Sequence, residues 1–242
     1  LVDLRVDLLP KRPEVQALVK TAQAEGREVI LASASDQTLV ERLAKSAGLS
    51  ARVVASTPER NLNSHAKAEA LVEAFGEGGF DYVGNAPADL SVWKKADHAY
   101  FVGGYPGLAK KLETQGTTFT DLGGGWQLKD AVRALRPHQW VKNVLLFLPV
   151  LAAHQFDLAT LLWVVLGMLS FSFAASAIYG VNDLLDLEAD RLHKTKCDRP
   201  YASGAVPIGI GMALSIGLGL LSLAIGALLS PAFVGIVALY MV

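Results

Sequence analysis

The chain has 242 residues, of which 52% are hydrophobic and 19% charged, with a formal net charge of −1. This length suggests about two domains. The near-neutral charge excludes a binder of nucleic-acid backbone, which needs a basic surplus to displace counterions, and the lone Cys197 excludes an internal disulfide and suits a cytoplasmic setting. A mean hydropathy of +0.34 beside so many charges requires the charges to be unevenly spread. Residues 143–156, 158–182 and 201–242 contain no Asp, Glu, Lys or Arg. The opening LVDLRVDLLP lacks an initiator Met and the order of a signal peptide, and ALYMV ends within an apolar run, so the expectation is an internal fragment cut at both ends.

In chain order, residues 13–25 have apolar side chains at helical spacing, with Pro13 in the opening turn and Gly26 as the stop. A buried strand is predicted at 28–32, then a helix at 37–46, a strand at 52–55, a helix at 65–75 and a strand at 80–83. A short helix at 90–96 and a strand at 98–102 complete the series. Helix and strand alternating in this way predict a small doubly wound parallel α/β domain. Gly103, Gly104, Pro106 and Gly107 break the pattern, and Gly123, Gly124 and Gly125 mark a joint. The division expected is an α/β domain at 1–121, a linker with a basic segment at 122–139, and a membrane part at 140–242.

Residues 159–181 and 207–229, 23 residues each, span roughly 35 Å as helices, enough for a hydrocarbon core of about 30 Å. Residues 143–156 are shorter, and with Trp140 and Lys142 as interfacial anchors they are predicted to be a first membrane helix; residues 231–242 open a fourth. Arg133, Arg136 and Lys142 precede the first helix, and Arg191, Lys194, Lys196 and Arg199 follow the second. Two helices between basic segments place both on one face, expected to be cytoplasmic together with the α/β domain. Gly211, Ser215 and Gly219 recur every four residues, a spacing that permits close helix approach in lipid.

Chemistry concentrates where the second membrane helix ends, in Asn182-Asp183-Leu-Leu-Asp186-Leu-Glu-Ala-Asp190. On a continuous helix, Asp183, Asp186 and Asp190 fall within about 60° of one another while Glu188 faces away. Three carboxylates on one stripe repel unless a cation joins them, and an all-oxygen set suits magnesium, which shares its shell with phosphates. Arg191, Lys196 and Arg199 follow directly to take phosphate oxygens. A solvated membrane-edge loop that merely stops translocation is the plainer alternative. For His138 and His193, interfacial or phosphate-contacting roles are the expectation, and His154 is placed at a helix end.

These residues, with the continuation to Pro200 and Ser203-Gly204, resemble the first aspartate-rich motif of the UbiA prenyltransferase family. Arg136-Pro-His-Gln-Trp-Val-Lys-Asn143 is similar to the opening of the first helix in its decaprenyl-phosphate phosphoribosyltransferase branch. The resemblance covers roughly residues 130–242. It implies an all-α polytopic bundle of about nine membrane helices, of which three to four lie here, with a second aspartate-rich motif further along. It also implies that Asn182, Asp183, Asp186 and Asp190 bind magnesium and a donor diphosphate, with Asp183, Asp186 and Asp190 catalytic. Lys142, Asn143, Arg191, Lys196 and Arg199 would contact phosphates. The implied reaction transfers a prenyl or phosphoribosyl group from a diphosphate donor to an isoprenoid lipid phosphate or aromatic acceptor, and the fragment alone is expected to be inactive.

The first half resembles the haloacid dehalogenase (HAD) phosphatase superfamily, a Rossmann-like α/β fold. Ser33 closing Val29-Ile-Leu-Ala-Ser33, Lys67, and Gly84-Asn85-Ala-Pro-Ala-Asp89 stand where that family has its phosphate-binding, lysine and acidic motifs. The family's Asp-x-Asp nucleophile and the strand before it are not found, and its usual Gly-Asp is Gly84-Asn85, so the α/β domain is incomplete and this chain is not expected to form an aspartyl-phosphate. Asp89 also reads as a helix N-cap. Two further functions stay open at this stage: a transporter or scaffold regulated by its soluble domain, and a phosphatase tethered to lipid. Transporters bury ionisable groups at mid-membrane, whereas these carboxylates stand at a helix mouth.

Overall fold

The computed structural model describes residues 5–49, 51–103 and 107–242, and the chain divides into two units, Leu1–Gly125 and Trp126–Val242. Gly104 and Pro106, read above as pattern breakers, lie outside the described residues.

The first unit begins with a 3-10 turn at Val6–Leu8 and continues α1 (Pro13–Ala24), β1 (Ile30–Asp36), α2 (Gln37–Ser46), β2 (Arg52–Ser56), α3 (Ser64–Phe75) and β3 (Tyr82–Gly84). A 3-10 turn at Pro87–Asp89 leads into α4 (Leu90–Trp93), followed by β4 (Ala99–Phe101), α5 (Leu108–Thr114) and β5 (Phe119–Asp121). Local chemistry sets the helix starts. Pro13 occupies the first turn of α1, the Asp36 carboxylate accepts from the Thr38 N–H at 2.9 Å to cap α2, and the Asn63 side chain caps α3.

The single doubly wound sheet predicted from the pattern is not what forms. β1 and β2 pair in parallel as one sheet, while β3, β4 and β5 form a second parallel sheet. The predicted strand at 28–32 starts later and runs to Asp36, with its register slipping between Ser33 and Asp36. α5 and β5 were hidden behind the glycines. Leu108 and Leu112, one helical turn apart, are fully buried and join Leu71, Val92, Trp93 and Phe101 in the core. Trp93, 1% exposed, meets Tyr82 and Phe101 edge-on, and its indole N–H donates to the Tyr82 carbonyl at 3.1 Å. An indole buried this deeply needs such a partner.

The second unit comprises α6 (Leu128–Ala134), an eleven-residue 3-10 helix (Pro137–Phe147), α7 (Leu148–Ala152), α8 (Leu158–Leu185) and α9 (Leu187–Leu192). A 3-10 turn at Lys196–Asp198 precedes α10 (Ile208–Leu229) and α11 (Pro231–Tyr240). The continuous helix predicted at 143–156 is replaced by the 3-10 stretch and the short α7, with Pro149 in the first turn of α7. Trp140 donates its indole N–H to Ser176 Oγ at 2.9 Å and packs edge-on against Phe173.

α8 has 28 residues and α10 has 22, lengths of roughly 42 and 33 Å. Their burial is inverted relative to a water-soluble core. α8 buries Gly167, Ser170, Ala174, Ala177 and Gly180, while Leu162, Trp163, Met212, Ile216 and Leu220 are exposed on α8 and α10. Small residues inside and large apolar residues outside suit helices packing in lipid. The contact between them is also hydrogen-bonded. Ser170 Oγ donates to the Ser222 carbonyl at 2.8 Å and Ser222 Oγ donates to the Ser170 carbonyl at 2.6 Å. Two steps of the small-residue stripe on α10 permit close approach: a Cβ on Gly180 would strike Ser215, and one on Gly211 would lie 2.5 Å from the Tyr201 ring, whereas one on Gly219 would make only ordinary contacts.

Tyr201 is 2% exposed and cannot give way. Gly211→Ala is therefore expected to cost about 1–3 kcal/mol and to displace the segment carrying Arg199. Thermal unfolding in detergent, with Gly209→Ala as the unhindered control because its added Cβ meets nothing within 4 Å, checks this.

Candidate active site

α8 continues past the predicted end of the span to Leu185, which puts Asn182 and Asp183 in its last turn. A carboxylate there faces the negative end of the helix macrodipole, which calls for a cation beside it. Two guanidinium groups supply it. Arg136 Nη2 donates to Asp183 Oδ1 at 2.6 Å and Oδ2 at 2.8 Å. Arg199 Nη1 donates to Asp183 Oδ1 at 3.1 Å and to Asp190 Oδ2 at 2.7 Å. Asp183 is 5% exposed and Asp190 1%. Lys196 Nζ lies 3.9 Å from Asp190 Oδ1 at the more exposed edge.

The stripe predicted on one continuous helix is broken. Asp186 is the residue between α8 and α9, with φ −84° and ψ 10°, and its side chain is exposed. Asp183 and Asp190 converge through Arg199, and Asp186 stands outside that pair. Among the described residues no group of three or more His, Cys, Asp or Glu side chains is gathered for a metal ion. The two carboxylates nonetheless suit magnesium chemically: both are oxygen donors converging on one cation. Magnesium is commonly held by one or two carboxylates plus substrate phosphates rather than by an all-protein cage.

Arg136 is the residue that sequence reasoning quoted within a motif but did not assign to the site. Its backbone is left-handed, φ 51° and ψ 55°, a strained conformation for a residue with a side chain, costing of order 1–3 kcal/mol. Its guanidinium also lies 5.1 Å from the centre of the Tyr179 ring. The ion pair with Asp183 and the ring contact offset that strain. Tyr201 likewise belongs to the surroundings of the site, its phenol pushed above its ordinary pKa by burial and then by the charge of Asp183.

The other predicted residues divide into two groups. Arg191 donates its Nε–H to the Ala202 carbonyl at 3.1 Å and so fixes the turn after Arg199; burial lowers its pKa. Asn143 does not present its amide to the site: it donates to Ser172 Oγ at 3.0 Å, a tie between the 3-10 helix and α8. Lys142 and Asn182 are exposed. His193 Nδ1 lies 3.3 Å from the Thr195 N–H in a local turn, His138 is exposed, and His154 follows α7 with φ 53°.

In the first unit the structure brings three of the four motif residues together, Lys67 by its side chain and Asn85 by its backbone N–H, both on Asp89. Lys67 Nζ donates to Asp89 Oδ1 at 2.9 Å, as does the Tyr82 hydroxyl, while the N–H groups of Asn85 and Ala86 donate to Oδ2 at 3.0 and 3.1 Å. Asp89 stands at the N-cap position of α4 but makes no side-chain capping bond there; its carboxylate is instead the hub of a buried network. Burial alone would raise its pKa; the hydrogen bond and charge of Lys67 and the two backbone donors outweigh it and hold the carboxyl below its ordinary value. Ser33 Oγ accepts from the Ser35 N–H at 3.1 Å within its own turn. Asn85 is exposed and acts through its backbone.

The comparisons with known proteins meet this geometry at the second unit. Residues 144–242 match the UbiA prenyltransferase family. A decaprenyl-phosphate phosphoribosyltransferase of Corynebacterium glutamicum is 48% identical over 98 residues, covering 39% of this chain and 29% of that protein. The enzyme of the same name from Mycobacterium tuberculosis is 43% identical over 115 residues, 46% of this chain and 38% of its own length. The uncharacterized protein y4nM of Sinorhizobium fredii is 36% identical over 219 residues, which is 87% of this chain and 42% of y4nM. The chain therefore spans less than half the length of each of these relatives. The match to y4nM is too long to lie within the UbiA segment, so it takes in both units.

Proposed function

We propose that the second unit is part of a membrane transferase that binds a diphosphate donor against Asp183 and Asp190 and passes its phosphoribosyl group to a polyprenyl phosphate. The observation that carries this reading is the pair of buried carboxylates Asp183 and Asp190 bridged by Arg199 at the end of α8, with Arg136 also on Asp183. The choice of a phosphoribosyl over a prenyl group rests on the names of the relatives and on the Arg136-to-Asn143 segment.

In this reading Asp183 and Asp190, with the exposed Asp186 and Asn182 nearby, would hold magnesium. The bound ion would neutralise the diphosphate as the bond from carbon to oxygen breaks. The chain's own cations do the remaining work. Arg136 and Arg199 are guanidinium forks suited to phosphate oxygens, and Lys142 and Lys196 extend the positive field at the exposed edge. Partly buried guanidinium donors already held in place act on developing charge with little reorganisation. Arg191 positions the turn behind them. The positive residues flanking α8 support a cytoplasmic side for the polar loop and the first unit.

For the first unit we infer a phosphatase-like α/β domain of the HAD kind, supported by its parallel strands and by the meeting of Lys67 with Asp89.

The test uses membranes from cells producing the full-length protein, given labelled phosphoribosyl diphosphate or labelled prenyl diphosphate with magnesium, then lipid extraction. Label entering lipid only from phosphoribosyl diphosphate is the expected result; label entering only from prenyl diphosphate would overturn the donor assignment, and no label from either would overturn the reading as a whole.

A further inference from the structure

In the second unit, one stripe of polar side chains on α8 holds the segment 135–143. Ser172, Ser176, Tyr179 and Asp183 recur at helical spacing, within about 60° of one another around the axis. Ser172 Oγ accepts from the Asn143 amide at 3.0 Å and Ser176 Oγ from the Trp140 indole N–H at 2.9 Å. The Arg136 guanidinium covers the Tyr179 ring and pairs with Asp183. The partners run in opposite order along the two segments, so the 3-10 helix lies antiparallel to α8.

Ser176 bonds to two residues of this segment. Besides accepting from Trp140, its hydroxyl donates to the Leu135 carbonyl at 2.7 Å. Both directions are fixed by chemistry, because an indole N–H only donates and a carbonyl only accepts. Ser176 is 2% exposed, so both bonds are shielded from solvent. They straddle Arg136. Leu135 is the C-cap of α6, where a carbonyl has no partner within its own helix, and Trp140 stands four residues beyond Arg136.

Between those two anchors Arg136 is left-handed, at φ 51° and ψ 55°. Pro137 follows directly, and a proline pushes the residue before it towards extended backbone. The conformation is therefore imposed from outside, and it turns the chain from α6 into the 3-10 helix with the Arg136 side chain on Asp183. Ser176 and Asp183 stand about two turns apart on the same face of α8, so the residue that fixes the turn and the one that receives the guanidinium belong to one rigid element. We propose that Ser176 is a positioning residue: by holding the Leu135 carbonyl and the Trp140 indole on one oxygen, it sets the left-handed turn that delivers Arg136 to Asp183. Its consequence for donor binding rests on the transferase reading; the placement of Arg136 does not.

Both parts are tested in the full-length protein. Modification of Arg136 by phenylglyoxal, read by mass spectrometry on protein purified in detergent, is expected to rise at least about fivefold in Ser176→Ala, the equivalent of one net hydrogen bond. It is expected to stay at the wild-type level in Ser170→Ala, which removes an equally buried hydroxyl of α8 whose bonds go to α10. Trp140→Phe removes one of the two bonds and leaves Ser176 in place; a smaller rise is expected, and this variant decides the matter if Ser176→Ala does not fold. In transfer assays Ser176→Ala is expected to raise the KM for the diphosphate donor about tenfold and to add nothing in an Arg136→Gln background. Unchanged labelling of Arg136 in Ser176→Ala would overturn the proposal. So would an equal rise in Ser170→Ala, or a KM effect that persists undiminished without Arg136. Labelling that responds as expected in a protein that transfers nothing would overturn the transferase reading and leave the placement of Arg136 by Ser176 standing.

Discussion

In the full-length protein, Asp183→Ala is expected to abolish transfer, lowering turnover at least about 100-fold, because it removes the carboxylate that both Arg136 and Arg199 share. The loss has a structural part. Arg136 would be left with its side chain 20% exposed and without its carboxylate, and it would no longer offset its own left-handed backbone. Breaking a buried pair by deleting one partner costs about 3–5 kcal/mol, and the residual solvent access of Arg136 argues for the lower end. Asp183→Asn keeps the shape and separates the two effects. It is expected to restore most of the stability and little of the turnover. Asp186→Ala provides the contrast: its exposed carboxylate lies outside the ion-pair group, so its removal is expected to change thermal stability by less than about 0.5 kcal/mol. Unfolding midpoints in detergent and lipid-extraction turnover for the three variants check these outcomes. Full turnover in Asp183→Ala would remove the assignment of the site.

In the first unit, Asp89→Ala is expected to destabilise by about 3–5 kcal/mol, since it leaves the Lys67 ammonium buried and unpaired and strips a partner from Tyr82, Asn85 and Ala86. Replacing Lys67 and Asp89 together by Met and Leu is expected to cost less than the single change. The pH dependence follows from the direction of the Asp89 shift. Its folded pKa is held below the unfolded value of about 3.9, so its stabilisation is fully present above that value and is lost as pH falls through the lower, folded pKa. Asp89→Asn is expected to flatten that acid limb. Urea unfolding followed by amide exchange in β3 and β4, between neutral and acid pH, measures both effects.

Much of the element order was legible because it rests on local chemistry. Pro13 starts α1, Asp36 and Asn63 cap the helices they precede, and the charge-free stretches around α8 and α10 declare their length and apolarity without reference to anything distant. The elements that were missed are those where a local signal misleads. The glycines near 103 read as the end of the α/β pattern, yet Leu108 and Leu112 continue it. The stretch at 143–156 read as one helix because hydropathy does not register where a run of apolar residues changes helical type.

The carboxylates follow the same division. That Asp183, Asp186 and Asp190 stand at a helix mouth beside basic residues was determined by the sequence, since charge and spacing are properties of the chain. Which of them are buried, and by what they are held, was decided only by the tertiary structure. Arg136 lies 47 positions from Asp183, and no periodicity connects them. The break at Asp186 lets Asp190 turn back onto Arg199 and leaves Asp186 in the open. The pairing of Lys67 with Asp89 and the separation of the α/β strands into two sheets are likewise products of packing, because a strand's partners depend on which edges meet, and the alternation of its side chains states only which face is apolar.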